Sequence, residues 1–389
     1  MSLKVEHLNG DSTFLLTFSP FEVPQIWSSE IRAPGAFTVL VDPWISGPSK
    51  VWHAKFSLSK HTIPSSIEHL SDMPEPDVVL ISQDKPDHCH EATLRQLNPC
   101  SKYTTILAEP AAAKKIQGWN YFDRSKVHAL PPFSSQKQST IVRFMIPSPM
   151  PGGLAGEATV AFIPAKRDLT GLHNAIGITY RPPSLPPRAP TLSKSSTRSS
   201  VLSLPIQTAS DNLPDTPPQT PPSRTSTLSS TTASSRSDTT ASSLSSTPLA
   251  FRPALLNRER TLSVIYSPHG VTYSHILPYA TTHLVQAAAL PLTLLLHCFD
   301  RVQNPWYLGG NISAGLPGGL EIARNLFTRC WISAHDEDKE ITGFSVGQVV
   351  TRKYAVEEVK KMVEEGRKGE KLKVDVRALA CGESIVLGA

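Results

Sequence analysis

Short apolar runs separated by turn residues dominate the first part of the chain. Their length and their β-branched and aromatic content are typical of strands. We predict strands at Ser12–Phe18, Phe37–Val41, Val78–Ser82, Thr104–Ala108, Ile141–Ile146, Thr159–Ile163 and Ala175–Tyr180. Helical periodicity occurs at His90–Leu97 and at Pro110–Gln117, the second directly after a strand. The pattern therefore mixes strands with helices.

The same mixture resumes in the last third of the chain. The predicted elements are strands at Leu262–Ser267 and Cys330–Ala334, an apolar run at Leu290–Cys298, and helices near Gly318–Arg329 and Val356–Glu365. Alternating strands and helices predict the α/β class.

The two parts are separated by Pro182–Ala250, where roughly three residues in five are Ser, Thr or Pro. This composition buries too little apolar surface to offset the entropy of ordering, so we predict disorder. Because closing a long loop adds little entropy cost, we expect one domain, residues 1–181 and 251–389, interrupted by this insertion. Strands Ala175–Tyr180 and Leu262–Ser267 should then be neighbours. Thr-Pro steps at Thr216, Thr220 and Thr247 could allow kinase-regulated interactions, although a solvated spacer is the simpler interpretation.

Charge and cysteine content exclude several classes of protein. The net charge of +5 over 389 residues is spread thinly, which argues against a nucleic-acid partner. The five cysteines lie far apart and include no CxxC pair, which favours reduced thiols. We see neither a signal sequence nor an apolar stretch long enough to span a membrane, so we expect a cytoplasmic protein.

A dense polar cluster follows the predicted strand at Val78–Ser82. Its residues Asp84, Asp87, His88 and His90 offer metal-ligand atoms within a short stretch of chain. The alternative is that Asp87 caps the helix that begins near His90. The residue types alone leave both interpretations open.

Five segments, taken in chain order, resemble the metallo-β-lactamase superfamily. Ser82–His88, SerGlnAspLysProAspHis, is similar to its Thr-His-x-His-x-Asp-His motif. The branch containing ascorbate-phosphate lactonases and N-acylphosphatidylethanolamine phospholipases has an Asp-Pro turn, a Pro-Ala-x-His loop, a strand ending in Gly-Asp-Thr-Gly and a last strand with a terminal histidine. Val39–Trp44 is similar to the Asp-Pro turn, and Phe162–Arg167 is similar to the Pro-Ala-x-His loop. Val264–Gly270 is similar to the strand that ends in Gly-Asp-Thr-Gly, and Trp331–Glu337 is similar to the last strand with its histidine, here His335. The resemblance implies a four-layer αββα sandwich and metal-assisted hydrolysis of an ester, a lactone or a phosphodiester.

The chain departs from the family pattern at one of the two metal positions. Where the family has three histidines, this sequence has Gln83, Lys85 and Arg167. Each cation would cost about 8 kcal/mol beside a divalent ion at 4 Å with an effective dielectric of 20. We therefore expect this position to be empty. At the second metal position, the resemblance implies that Asp87, His88 and His335 are ligands. The bridging aspartate of the family is missing there, and His269 could substitute for it.

Two functions remain open for this degenerate site. In one, Asp87, His88, His335 and His269 hold one zinc or another divalent metal and hydrolyse a small-molecule ester or phosphate-bearing substrate, with Asp87 catalytic and Asp42 orienting the ligands. In the other, no metal binds, and a pseudoenzyme holds an anion on Lys85, Arg167 and Gln83. The cationic replacements favour a metal-poor or metal-free site.

Overall fold

The computed structural model describes residues 1–20, 34–51, 53, 55–168, 170–184, 261–308, 310–344, 348–365 and 373–388. Within these ranges the strands form two seven-stranded sheets and two three-stranded sheets. No helix in the described ranges has both the length and the apolar character needed to span a bilayer.

The first large sheet has the strand order β20-β1-β2-β3-β6-β7-β8. Its strands are β1 (Ser2–His7), β2 (Phe14–Ser19), β3 (Phe37–Val41), β6 (Val78–Ile81), β7 (Thr105–Ala108), β8 (Val127–Ala129) and β20 (Ser384–Gly388). The strands β3, β6, β7 and β8 run parallel, so the chain leaves them at one edge of the sheet.

The second large sheet has the order β19-β16-β13-β12-β11-β10-β9. Its strands are β9 (Ile141–Ile146), β10 (Gly156–Pro164), β11 (Asn174–Arg181), β12 (Leu262–Ser267), β13 (Leu294–His297), β16 (Cys330–Ile332) and β19 (Asp375–Arg377). The strands β12, β13, β16 and β19 are parallel.

The two small sheets contain the remaining strands. One has the order β17-β5-β4 and the other β15-β14-β18. Their bounds are β4 (Ser49–Val51), β5 (Ser57–Lys60), β14 (Arg301–Gln303), β15 (Asn311–Ser313), β17 (Glu340–Thr342) and β18 (Val350–Arg352).

Three buried clusters give the molecule its layers. The central cluster joins apolar side chains of both large sheets, including Phe14 and Leu80 from the first and Tyr180 and Leu296 from the second. A second cluster covers the outer face of the first sheet with α1 (Glu91–Leu94) and α2 (Pro110–Gly118). The third covers the outer face of the other sheet with helices α3, α4 and α5. These helices are α3 (Tyr273–Tyr279), α4 (Leu316–Asn325) and α5 (Val356–Glu364). The predicted four-layer αββα sandwich is confirmed.

Strands β11 and β12 are antiparallel neighbours, with Ile176 opposite Tyr266, as the insertion hypothesis requires. The predicted disordered segment, Pro182–Ala250, lies outside the described residues from residue 185 onward. The domain bounds and the disorder therefore stay predictions.

Candidate metal centre

The ends of four strands bring the candidate residues to one edge of the sandwich. Asp42 follows β3, His88 lies in the turn after β6, His269 follows β12, and His335 follows β16. Each of these strands has at least one parallel neighbour, and carboxyl ends of parallel strands share an edge. The fold thus assembles a site from residues almost 300 positions apart.

Three histidines converge at this edge. One ring nitrogen from each of His88, His269 and His335 lies within 4.8 Å of the others. Their ring centroids are 4.6 to 5.1 Å apart. Within the described residues this is the one group of three or more His, Cys, Asp or Glu side chains arranged to hold a metal ion.

A buried carboxylate fixes the orientation of His88. Its Nδ1 lies 2.7 Å from Asp42 Oδ2. The same carboxylate accepts hydrogen bonds from Ser82 N at 2.7 Å and from Tyr266 OH at 2.6 Å, and a further one from Ser82 Oγ. Burial and the charge of Asp42 raise the pKa of Tyr266 well above its usual value, so the phenol stays a donor. Asp42 is completely buried and has a positive φ of 42°.

His335 is held by a different carboxylate. Its Nδ1 lies 2.9 Å from Asp11 Oδ2, and its backbone N–H donates to Asp11 O at 2.9 Å. Lys339 Nζ donates to the same Oδ2 at 2.8 Å. Burial alone would raise the pKa of Asp11, but His335 and Lys339 together hold it well below its usual value. Asp11 is therefore an anion that fixes the imidazole in place.

A backbone carbonyl orients His269. Its Nδ1 donates to Ile312 O over 2.9 Å. Burial, aided by the charges of His335 and His88, lowers the pKa of His269 well below its usual value, which keeps the ring neutral. An imidazole that donates from Nδ1 carries its lone pair on Nε2. All three histidines have an acceptor at Nδ1, so Nε2 is the nitrogen that each can offer to a ligand.

His88 Nε2 and His269 Nε2 lie 3.1 Å apart, which is a hydrogen-bond distance. Two lone pairs at this separation repel each other unless a proton or a metal lies between them. Tetrahedral zinc with Zn–N bonds of 2.0–2.1 Å separates its nitrogen ligands by about 3.4 Å. Small shifts of these rings would satisfy that geometry, so the donor set fits a divalent metal.

Asp87 lies at the open side of the histidine cluster. Its Oδ2 is 3.9 Å from His335 Nε2, and its side chain is 22% exposed. Burial opposes ionisation, but His88, Lys339 and His335 lower the pKa of this carboxyl below its usual value. Its position suits a fourth ligand or a group that accepts a proton from water. His90, not Asp87, caps helix α1, with its side chain accepting from Thr93 N.

The three residues at the substituted metal position have other contacts. Gln83 is buried, and its Nε2 donates to Leu172 O at 2.8 Å. Lys85 is one-third exposed and pairs with Asp84 at 2.8 Å. Arg167 is exposed and, within the described residues, forms no recorded hydrogen bond or ion pair. The described contacts do not join any of the three to the histidine cluster.

Several residues of this centre are absent from the sequence-based predictions. Asp11 stands in an AsnGlyAspSer sequence typical of a turn, and Lys339 lies within the charged segment Asp336–Glu340, which looks exposed. Of the acidic residues next to His335, Asp336 binds the backbone of Phe299 and Asp300, and Glu337 binds His61. The carboxylate that orients His335 therefore comes from Asp11, more than 300 residues away, and no local spacing could reveal it.

Comparisons with known proteins give one family match and one similar solved structure. Residues 28–142 match the family model described as "Beta-lactamase superfamily domain". Among solved structures, the metallo-β-lactamase fold protein YhfI from Bacillus subtilis matches over 99% of this chain and 99% of its own, with 10% sequence identity and a TM-score of 0.41. A search of curated proteins found no match. The chain thus contains a segment, residues 28–142, that is similar to a beta-lactamase superfamily domain.

Proposed function

We propose that this protein is a hydrolase that uses a single divalent metal, held by His88, His269 and His335. The observation that carries the proposal is the shared orientation of the three rings. Each Nδ1 has a fixed acceptor, which leaves Nε2 free to bind a metal, and one ring nitrogen of each histidine lies within 4.8 Å of the others. Hydrogen bonds of this kind to the distal ring nitrogen are typical of histidines that bind metals.

The chain's own residues would divide the remaining tasks. A bound divalent metal polarises the substrate and lowers the pKa of a water molecule. Asp87, partly exposed beside His335, either completes the ligand set or takes up the proton of the attacking water. Asp42 and Asp11 touch imidazoles and not the substrate, so we assign them to positioning.

The resemblance to the lactonase and phospholipase branch supports an ester, lactone or phosphodiester as the substrate class. The charges near the site support an anionic group on that substrate. Lys339 is a buried cation close to Asp11 and His335, and Lys85 lies in the same turn as His88. A divalent metal would add two positive charges beside these groups and offset the carboxylates Asp11, Asp42 and Asp87.

Elemental analysis of the purified full chain tests the metal directly. We expect about one equivalent of zinc, iron or manganese, because the structure offers one set of converging ligands. His269→Ala should lose the metal, while His128→Ala, at an exposed position on β8, should keep it. Less than about a tenth of an equivalent in the unaltered protein, after growth and dialysis with zinc, would count against the proposal.

Hydrolysis is tested separately with p-nitrophenyl acetate, a γ-lactone and bis(p-nitrophenyl) phosphate. Turnover of one of them should disappear with His269→Ala and persist with His128→Ala. If the protein binds metal but hydrolyses none of these substrates, the metal centre is supported and the hydrolase function is contradicted.

A metal-free anion site is the second candidate function. It is supported by the hydrogen bond from Gln83 to Leu172, which joins the Gln83–Lys85 segment to the loop that carries Arg167. Lys85 and Arg167, two accessible cations, therefore lie on segments that this hydrogen bond connects. If this function holds, inorganic phosphate should bind equally well with and without a chelator, and Lys85→Ala and Arg167→Ala should each weaken it.

A further inference from the structure

A cavity lies at the carboxyl ends of β13, β16 and β19, and one of its lining residues, Asp336, directly follows His335 in the chain. Its volume is about 390 Å³, within the range of pockets that hold small molecules. Phe299 and Asp300 follow β13, Ser333 and Asp336 follow β16, and Tyr354 precedes helix α5. Carboxyl ends of parallel strands are a common location for ligand sites.

The polar residues of this cavity differ in how well their hydrogen-bonding capacity is used. Asp336 accepts from Phe299 N, Asp300 N and Ser333 Oγ, so its carboxylate is fully engaged. Asp300 accepts from Tyr354 N at Oδ1, over 3.0 Å. Its Oδ2 accepts no hydrogen bond from the described residues and is not among their buried unpartnered atoms, so it is open to solvent, although the residue as a whole is only 9% exposed. One accessible carboxylate oxygen is therefore available to a ligand.

Charge in the cavity is also unbalanced. Its one lining cation is Lys353, which is 58% exposed and pairs with Asp338, at 2.8 Å, outside the lining. Neither Asp300 nor Asp336 has a salt bridge among the described residues. A carboxylate in a poorly hydrated site favours a cationic partner.

The rest of the lining is largely apolar. It includes Phe299, Val356 and Tyr354, and the guanidinium of Arg352 lies over the ring of Tyr354 at 4.7 Å. We propose that this cavity binds a small primary amine with an apolar body, whose ammonium group donates to Asp300 Oδ2. The apolar body would pack against Phe299 and Val356. This proposal does not depend on a metal at the histidine cluster.

Titration of the full chain with phenethylamine, followed by calorimetry, tests the site. We expect saturable binding in the millimolar range, as for a small rigid ligand, and none for 3-phenylpropionate. Asp300→Asn keeps an acceptor for Tyr354 N and removes the charge, so phenethylamine should bind about 10-fold more weakly or worse. Asp123→Asn removes an exposed carboxylate that is not part of the cavity lining, and it should leave binding unchanged.

A second variant guards against misfolding of the first. Ala378 is exposed at the cavity and belongs to its lining, so Ala378→Trp should block entry without disturbing the core. Absence of saturable binding would overturn the proposal, as would equal affinity in Asp300→Asn. Binding lost with His269→Ala but kept with Asp300→Asn would place the amine at the histidine cluster and would also overturn it.

Discussion

The two sides of the candidate centre differ in how firmly their side chains are held. On one side His88, His269 and His335 each have a fixed acceptor at Nδ1, and two of these acceptors are buried carboxylates. On the other side Lys85 pairs with a neighbour in sequence, and Arg167 is exposed. The first arrangement restricts each ring to one orientation, whereas the second leaves the cations free to change rotamer.

This difference indicates where precise geometry is needed. Holding a carboxylate such as Asp42 completely buried is costly unless its hydrogen bonds are satisfied, and here four donors contact it. A protein whose histidines only filled space would have no need of such a network. We infer that the histidine side binds the metal and that the cationic side contributes charge.

The largest expected effect comes from removing one imidazole. His269→Ala should reduce bound zinc from about one equivalent to nearly none, because two neutral nitrogens and a carboxylate hold the ion far more weakly. The measurement is zinc content after dialysis, with His128→Ala as the control. Zinc retained at the level of the unaltered protein would show that the histidine cluster is not the metal site.

Asp42→Asn should have the next largest effect. The asparagine keeps one acceptor oxygen but turns an NH₂ group towards donors, so His88 loses its anionic partner. We expect a metal affinity 10- to 100-fold lower, measured by competition with a chromophoric chelator. Asp123→Asn, at an exposed helix cap, is the control. Equal affinities in the two variants would contradict the role of Asp42 in positioning.

The sequence predicts the fold better than it predicts these contacts. Strands Phe37–Val41 and Leu262–Ser267 match the prediction residue for residue, because strands inside a sheet that is covered on both faces are nearly continuous apolar runs. The strands Ser2–His7 and Ser384–Gly388 are missing from the prediction, since polar residues interrupt them and their pairing is long-range. Helix α3 is also missing, because Pro278 lies inside it.

The same reasoning applies to the site. The sequence predicts His88, His269 and His335 as candidate ligands, because the family resemblance gives each a place at a strand end. Asp11 and Tyr266 could not be named, since their contacts with His335 and Asp42 depend on how the two sheets pack. Local patterns predict what a strand end carries and do not predict what packs against it.

The third expected effect is a dependence of zinc affinity on pH, which arises on the histidine side of the centre. Burial lowers the pKa of His88, but Asp87 and Asp42 outweigh it, so the pKa of this ring is raised above 6.5. A metal must displace that proton. Zinc affinity should therefore fall by up to about 10-fold per pH unit as the pH drops below the raised pKa of His88. Affinity that is constant between about pH 6 and about pH 8 would contradict this assignment.

The free energy of unfolding of the metal-free protein should change with pH in the opposite direction to zinc affinity, because it should decrease as the pH rises. A raised histidine pKa contributes stability that is complete below the unfolded value of 6.5 and is lost as pH rises through the folded value. Bound zinc replaces the proton and should remove this loss. Thermal unfolding of metal-free and zinc-loaded protein across the same pH range measures both.

The smallest effect is expected on the cationic side. Lys85→Ala and Arg167→Ala should leave the zinc content unchanged, because neither residue contacts the histidine cluster in the described structure. Exposed charges contribute at most about 1 kcal/mol, so we expect KM for bis(p-nitrophenyl) phosphate to rise by up to about fivefold with little change in kcat. KM for a neutral ester should not change, since no anionic group is lost from the interaction. If either variant instead loses zinc as His269→Ala does, the cations support the metal, and the division between the two sides is wrong.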